Sequence, residues 1–510
     1  MEYLLAVDIG TSACKTALFA AGGQVIAQAT HSYPVHYPAP GWAEQDPEDW
    51  WAAAKKGIKD CLEDSGINPA AIAGIGIDGQ SWAAVAVDAK GETLCPTPIW
   101  MDTRAAGLCA GVEEKLGRER VFAVSGNPFS PSYTTPKLLW YRQERPEVWQ
   151  QARWFLQSNS FIAYRLTGKA SGDRSQGYGL HCFSIQSGEY EEGLCRELGI
   201  DPGKLPPLYP SHAVVGGVTP QAARETGLLA GTPVAAGGLD AACGSLGAGV
   251  CAPGLTQEQG GQAGGMSVCM ENPTAHPALI LSCHVVPGQW LLQGGSVGGG
   301  GSLRWLVREL GQLEMEQEKA DGVSAFRRLD ELAAAVPPGA DGLLFLPYLS
   351  GERSPIWDPE ACGVYFGLDY QKTRGHFFRA LLEGAAYALE HNLRCVQEAG
   401  VPVGTMHAVG GAANSRLWTQ IKADVTGKPI RVPDSDMATC LGAAILAGVG
   451  TGLYPDFQAA VEKTVHFRRE YQPDPERHAL YQRWFPLYRE LYSQLAGSMH
   501  RRARLLGEER

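Results

Sequence analysis

Basic residues are in deficit. The chain carries 43 Lys and Arg against 54 Asp and Glu, a net charge of −11. Such a balance is poor for general binding of phosphate backbones, so nucleic acid is not an expected partner, although a local site for one small phosphate ligand is compatible with it. CxxC pairs are missing altogether. The 13 cysteines fall singly in apolar stretches, as at Cys243, Cys269 and Cys440, and read as reduced core thiols of a cytoplasmic protein rather than disulfides or zinc ligands. Uninterrupted hydrophobic runs are also lacking: the low-charge stretches 234–255 and 437–454 are broken by Asp or turn residues, and no membrane span is expected. The opening MEYLLAVDIG has no basic n-region of the kind a signal peptide carries.

What is present is ordinary globular material, 45% apolar and 19% charged over 510 residues, enough for two large domains. LLAVDIG and TALFAAGGQVIAQAT predict a β-meander. Residues 48–65 place Trp51, Ala54, Ile58 and Leu62 on one helical face. Residues 72–77 predict a strand, 83–94 a hairpin around Lys90-Gly91, 103–165 mostly helix and 194–232 a punctuated segment with a short helix. The Gly-rich, polar stretch 251–265 is the expected hinge. Beyond it, strands are expected in MSVCM, ALILSCHVV and WLLQGGSV. Helices follow at 302–310, 374–399 and 415–426, with a strand at 406–409, a loop at 337–363 and a helical tail over 456–510. Two halves that each open with a meander and close with helices suggest a duplicated α/β architecture.

The chemistry concentrates where strands end. In LLAVDIGTSACK, Gly10 permits a tight turn and close ligand approach, Thr11 and Ser12 offer amides and hydroxyls to phosphate oxygens, Asp8 suits Mg²⁺ and Lys15 adds positive charge. Read alone, DxGT also fits a hairpin with an Asx turn. Asp240, in PVAAGGLDAACGSLGAG (233–249), is an acid in an apolar, Gly-rich setting. Burial there should raise its pKa into the range useful for a general base, although Asp also suits the N-cap of the helix that follows. In HAVGGAANSRLWTQIKADVTGKPI (407–430), Gly410 and Gly411 leave room for a flat base or ribose, and Asn414 and Ser415 can cap a helix or bond a nucleoside.

The first of these motifs resembles the phosphate loop of the sugar kinase, hsp70 and actin superfamily. GIGIDGQSWAAVAVD (74–88), IWMDTRA (99–105), the Asp240 segment, SVGGGGSLRWLV (296–307), GERSPIWDPEACGVYFGL (351–368) and the 407–430 block together resemble the FGGY carbohydrate kinases, in order and over most of the chain. The xylulokinase branch of that family has Met-His where this chain has Ser81-Trp82. The family's second phosphate loop carries a hydroxyl where Gln262 stands in Gly261-Gln262-Ala263-Gly264-Gly265.

The resemblance implies a two-domain, actin-like (ribonuclease H-like) α/β ATPase fold with a cleft between duplicated lobes. It implies a sugar-binding lobe over 1–249 and a nucleotide-binding lobe over 250–510. It further implies ATP and Mg²⁺, the metal held by Asp8 and Asp240, with Asp240 as the base that takes a proton from a terminal sugar hydroxyl. Gln80, Ser81, Trp82, Asp102, Arg104 and Tyr133 would meet the sugar. Gly10, Thr11, Ser12, Lys15, Gly261, Gln262, Gly264, Gly300, Arg304, Gly410, Gly411, Asn414 and Ser415 would meet the nucleotide. Asp102 and Arg104 could equally pair with each other. The expected acceptor is a ketopentose such as D-xylulose. A different ketose, a sugar alcohol or a signalling sugar, or a non-catalytic nucleotide-dependent sugar sensor, remain alternatives, and the reading leaves a homodimer open.

Overall fold

The apolar run YLLAVDI forms a strand with both faces covered, β1 (Tyr3–Ile9). β2 (Ala13–Ala20) and β3 (Val25–Ser32) follow as the antiparallel meander. α1 (Pro47–Ser65) is N-capped by Asp46 and buries Trp50, Trp51, Ala54 and Ile58. It crosses over to β4 (Ile72–Gly79), which lies parallel to β1. β5 (Val214–Gly217) and β6 (Pro233–Ala235) complete the order β5–β6–β4–β1–β2–β3. The chain then enters α2 (Asp240–Gly247). This is a computed structural model, and it describes residues 2–508.

The same plan recurs in the second half. β7 (Thr256–Gly260) has an antiparallel neighbour on one side, β8 (Gly264–Met270). β9 (Ile280–Cys283) and β10 (Trp290–Ser296) extend that side. α3 (Gly300–Leu310) and the long α4 (Arg374–Glu398) follow, and β11 (Met406–Val409) pairs parallel with β7 on its other side. α5 (Arg416–Thr426), β12 (Ile430–Pro433), α6 (Ala438–Gly450), β13 (Phe467–Tyr471) and α7 (Pro475–Glu508) close the chain. Each lobe is thus floored by a mixed sheet whose first strand sits between an antiparallel and a parallel partner, the two-lobed actin-like α/β arrangement.

The expected hinge at 251–265 does not exist as one. Most of that stretch is β7 and the turn into β8, at the centre of the second sheet. Its polar residues are paired inside: Lys422 Nζ donates to Glu258 Oε1 at 2.6 Å, and Ser245 Oγ to Gln257 Oε1 at 2.9 Å. The expected hairpin at 83–94 forms in short measure, Val87 bridging antiparallel to Thr93 with the Leu94 N–H on the Ala86 carbonyl, and its first arm, Val85–Val87, pairs on its other side with Trp154–Leu156. The tail contains β13 as well as helix.

α6 lies in the second half of the chain but packs on the first sheet. Leu441, Ala443, Ala444 and Ile445 share a core with Leu4, Ala6, Ala17 and Phe19. It meets α2 backbone to backbone: a Cβ on Gly247 would come 1.8 Å from the Ala438 carbonyl oxygen, and one on Gly442 1.8 Å from that of Cys243. Asn127 also exchanges two hydrogen bonds with the Leu281 backbone and so ties the lobes together. All 13 cysteines are free, most of them buried. Among the described residues no helix is long and apolar enough to cross a membrane.

Candidate active site

Strand register builds the acidic floor. β1 and β4 pair so that Asp8 stands beside Asp78, and Gly238–Leu239 pairs with Asp78–Gly79, delivering Asp240 next to them at the start of α2. Among the described residues no hydrogen-bond donor reaches the Asp78 carboxyl. Burial and the neighbouring Asp8 and Asp240 charges hold it well above the usual carboxylate range. Asp8 is itself raised by burial, opposed by Lys15, whose Nζ lies 4.0 Å from Asp8 Oδ2. Burial and Asp8 lift Asp240 to about 7. Among the described residues its one hydrogen bond comes from the N–H of Ala241, and Leu239 rather than Asp240 is the N-cap of α2. Two buried acids and a half-buried one, with idle lone pairs, form a donor set that suits a hard divalent cation.

A second layer holds this floor in place. Asp173 accepts from Ser175 Oγ and from Asn159 Nδ2. Ser175 Oγ in turn accepts from the N–H of Leu239 at 2.9 Å, and Gln176 Nε2 donates to the carbonyls of Gly79 and Gln80.

Gln80, Ser81 and Trp82 follow β4 directly. Gln80 donates to Gln45 while its own Oε1 is left without a donor. Ser81 Oγ accepts from Tyr178 at 3.1 Å. Trp82 takes a left-handed backbone, φ 61°, which a bulky residue holds only under outside constraint. Two such constraints are visible. Its ring stacks on Tyr133 with centroids 4.1 Å apart, and Lys137 Nζ donates to its carbonyl at 2.8 Å. Lys137 also donates to the carbonyls of Ile99 and Ser132, and burial brings its pKa down to about 7. Asp102 and Arg104 stand differently. Asp102 accepts from the Ala43 N–H and from Arg104, and Arg104 bridges to Glu44 while lying against the rings of Trp42 and Trp140, which meet edge to face. Their polar groups are engaged inside the protein.

The first turn is compact: the Gly10 N–H donates to the Ala13 carbonyl, and Thr11 Oγ1 accepts from Trp100 Nε1 at 2.9 Å. Ser12 and Lys15 are exposed. In the second lobe a cavity of about 1050 Å³ brings together Gly261, Gln262, Gly300, Arg304, Gly411, Asn414 and Ser415, a volume that accommodates a nucleoside. Ser415 N-caps α5 through the Trp418 N–H, and its hydroxyl also bonds Asp330, a lining residue that sequence reasoning did not find. Gln262 bonds Arg304, and its backbone carbonyl receives the Gly301 N–H at the start of α3. Asn414 accepts from Arg468. Gly264 and Gly410 flank this cavity without lining it.

Asp78, Lys137, Tyr178 and Asp330 are the site residues the sequence reading passed over. Asp78 left a signal, because a second acid ends a second apolar strand two residues before Gln80. The others come together only through the fold.

The family model for the N-terminal domain of the FGGY family of carbohydrate kinases matches residues 3–247, and that for the C-terminal domain matches 266–451. A xylulose kinase of Staphylococcus epidermidis is 33% identical over 496 residues, covering 97% of each chain. A gluconokinase of Bacillus subtilis is 30% identical over 461 residues, covering 90% of this chain and 89% of its own. Among solved structures, a xylulose kinase from Rhodospirillum rubrum superposes with a TM-score of 0.89 at 32% identity, covering 98% of this chain and 100% of its own.

Proposed function

The chain belongs to the FGGY family of carbohydrate kinases, and from that premise we propose that it transfers the γ-phosphoryl group of ATP to a terminal hydroxyl of a ketopentose, D-xylulose being the first candidate. The observation that carries this reading is Asp240, a carboxylate poised near neutrality beside Asp8 and Asp78. An acid with a pKa of about 7 is well matched to accept a hydroxyl proton at neutral pH. Asp8 and Asp240 would hold Mg²⁺, which supplies charge neutralisation on the phosphates when bound. The turn at Gly10–Ser12 and the turn at Gly261–Gln262 would donate amides to the phosphates, with Lys15 adding charge. The nucleoside would lie in the cavity between Arg304 and Ser415.

Gln80, Ser81, Trp82 and Tyr133 form the wall against which the sugar packs. Asp102 and Arg104 support that wall: Lys137, which carries the Trp82 backbone, also carries Ile99 three residues before Asp102. The lobes are tied at Asn127–Leu281 and along α2–α6, so closure about these contacts would exclude water from the transfer step.

A coupled ADP-release assay over pentuloses, hexuloses, polyols and aldonates tests the proposal. The expected result is ADP release that depends on sugar and is fastest, per KM, with D-xylulose. Sugar-independent hydrolysis would favour a nucleotide-driven sensor, and preference for an aldonate would reassign the acceptor.

A further inference from the structure

Arg353 enters the site from the other lobe. It stands in Gly-Glu-Arg-Ser-Pro (351–355), and the Glu352 beside it is already engaged by the Val297 N–H, Ser296 Oγ and the Arg353 N–H. Among the described residues the Arg353 guanidinium makes no hydrogen bond and no ion pair. It is nonetheless withdrawn from water enough for burial to depress its pKa. Glu352 and Gly295 of its own lobe flank it, and across the cleft it faces aromatic rings of the first lobe. The Trp100 ring centroid is 6.0 Å away, and the positive charge acts on both Tyr133 and Tyr178. Room for it is specific: a Cβ on Gly295 would come 3.0 Å from the guanidinium carbon. An unpaired, partly desolvated cation is costly unless a ligand brings oxygens to it.

Tyr178 feels two opposite charges, Asp240 and Arg353. Trp82 Nε1 and Gln80 Oε1, also without partners, belong to the same wall. Trp100 packs against the cluster that holds Trp82, Tyr133 and Tyr178 and also donates to Thr11 Oγ1, so Arg353 stands where the sugar wall meets the first glycine turn. We infer that Arg353 binds the sugar across the cleft, its planar fork donating to hydroxyl or carbonyl oxygens, so that sugar occupancy draws the two lobes together. This deepens the sugar-kinase reading and rests on it.

The test is steady-state kinetics of Arg353→Met and Arg353→Lys, varying sugar and ATP separately, with sugar titrated by tryptophan fluorescence in the absence of ATP. Loss of charged hydrogen bonds should raise the sugar KM of Arg353→Met about 10- to 100-fold and weaken the ATP-free titration in step, with the ATP KM held within about twofold. Arg353→Lys, a point charge without the fork, should fall between the two. An unchanged sugar KM in folded Arg353→Met, or an ATP KM that rises as far as the sugar KM, overturns the inference. If Arg353→Met does not fold, an unchanged sugar KM in Arg353→Lys overturns it instead. Should the wild-type enzyme release no ADP with any sugar, the kinase reading itself fails, and that outcome is distinct from the others.

Discussion

Replacing Asp240 by Asn should make the ligand-free protein more stable and nearly inactive. Burial beside Asp8 raises the Asp240 pKa from 3.8 to about 7. At about 1.4 kcal/mol per pH unit, a rise of roughly three units costs the folded state about 4 kcal/mol once the group is ionised. The side chain keeps partial access to the cleft, and water there returns a share, so roughly 2 kcal/mol is the expected gain for Asp240→Asn at pH 8. The folded pKa is the higher one, so the folded protein binds the extra proton. The wild type is therefore free of this penalty below about pH 4 and bears it in full once the pH has risen past about 7. The stability advantage of Asp240→Asn should accordingly grow between pH 4 and pH 7 and then level off. Thermal unfolding in metal-free buffer reads it as a shift of about 2 °C at pH 8, the chain unfolding as one 510-residue unit, and the shift shrinks on acidification. Turnover should fall by several orders of magnitude with both substrates still bound. A variant no more stable than wild type at pH 8, or equally advantaged at every pH, would refute the electrostatic reasoning; near-normal turnover would remove Asp240 as the base.

Three further outcomes are expected. Trp82→Ala removes the ring stacked on Tyr133 and should raise the sugar KM more than the ATP KM in the coupled assay; an unchanged sugar KM takes Trp82 out of the site. Gln262→Ser frees Arg304 and should lower the ATP KM severalfold while leaving the sugar KM within about twofold; an ATP KM that does not move would show that this pair lies away from the nucleotide. Asp173→Asn sets an amide against the hydroxyl of Ser175, which holds the Leu239 N–H. It should cost about 1–3 kcal/mol in denaturant unfolding and lower kcat about tenfold with both KM values nearly unchanged; a wild-type kcat would show that the network does not position Asp240.

Legibility in the sequence followed how local each feature is. The β1–Gly10–β2 turn, β11 and the Ser415-capped α5 are written in consecutive residues, and they form where the sequence reading put them. β7 was misread as a hinge because Thr-Gln-Glu-Gln-Gly is polar, and its burial depends on Lys422, 164 positions further on. Asp240 could be singled out because an acid among glycines and alanines is conspicuous. Its neighbour Asp78 could not be given a role, because the register of β4 against β1 and against Gly238–Leu239 is what brings the acids together. Asp102 and Arg104 could be recognised as a pair, but the Trp42 and Trp140 rings against which Arg104 lies come from segments about 40–60 residues distant on either side. Arg353 sat in a recognised motif, yet its direction across the cleft is a property of how two lobes meet.

The crossing of α6 onto the first sheet means that the lobes cannot be separated by scissors. A fragment ending at residue 249 would leave Leu4, Ala6, Ala17 and Phe19 without the helix that shelters them, and a fragment starting there would carry an oily rod with nothing to lean on. Ribosomal synthesis faces the same constraint, since the first lobe must wait for almost the whole chain to emerge before its face is covered.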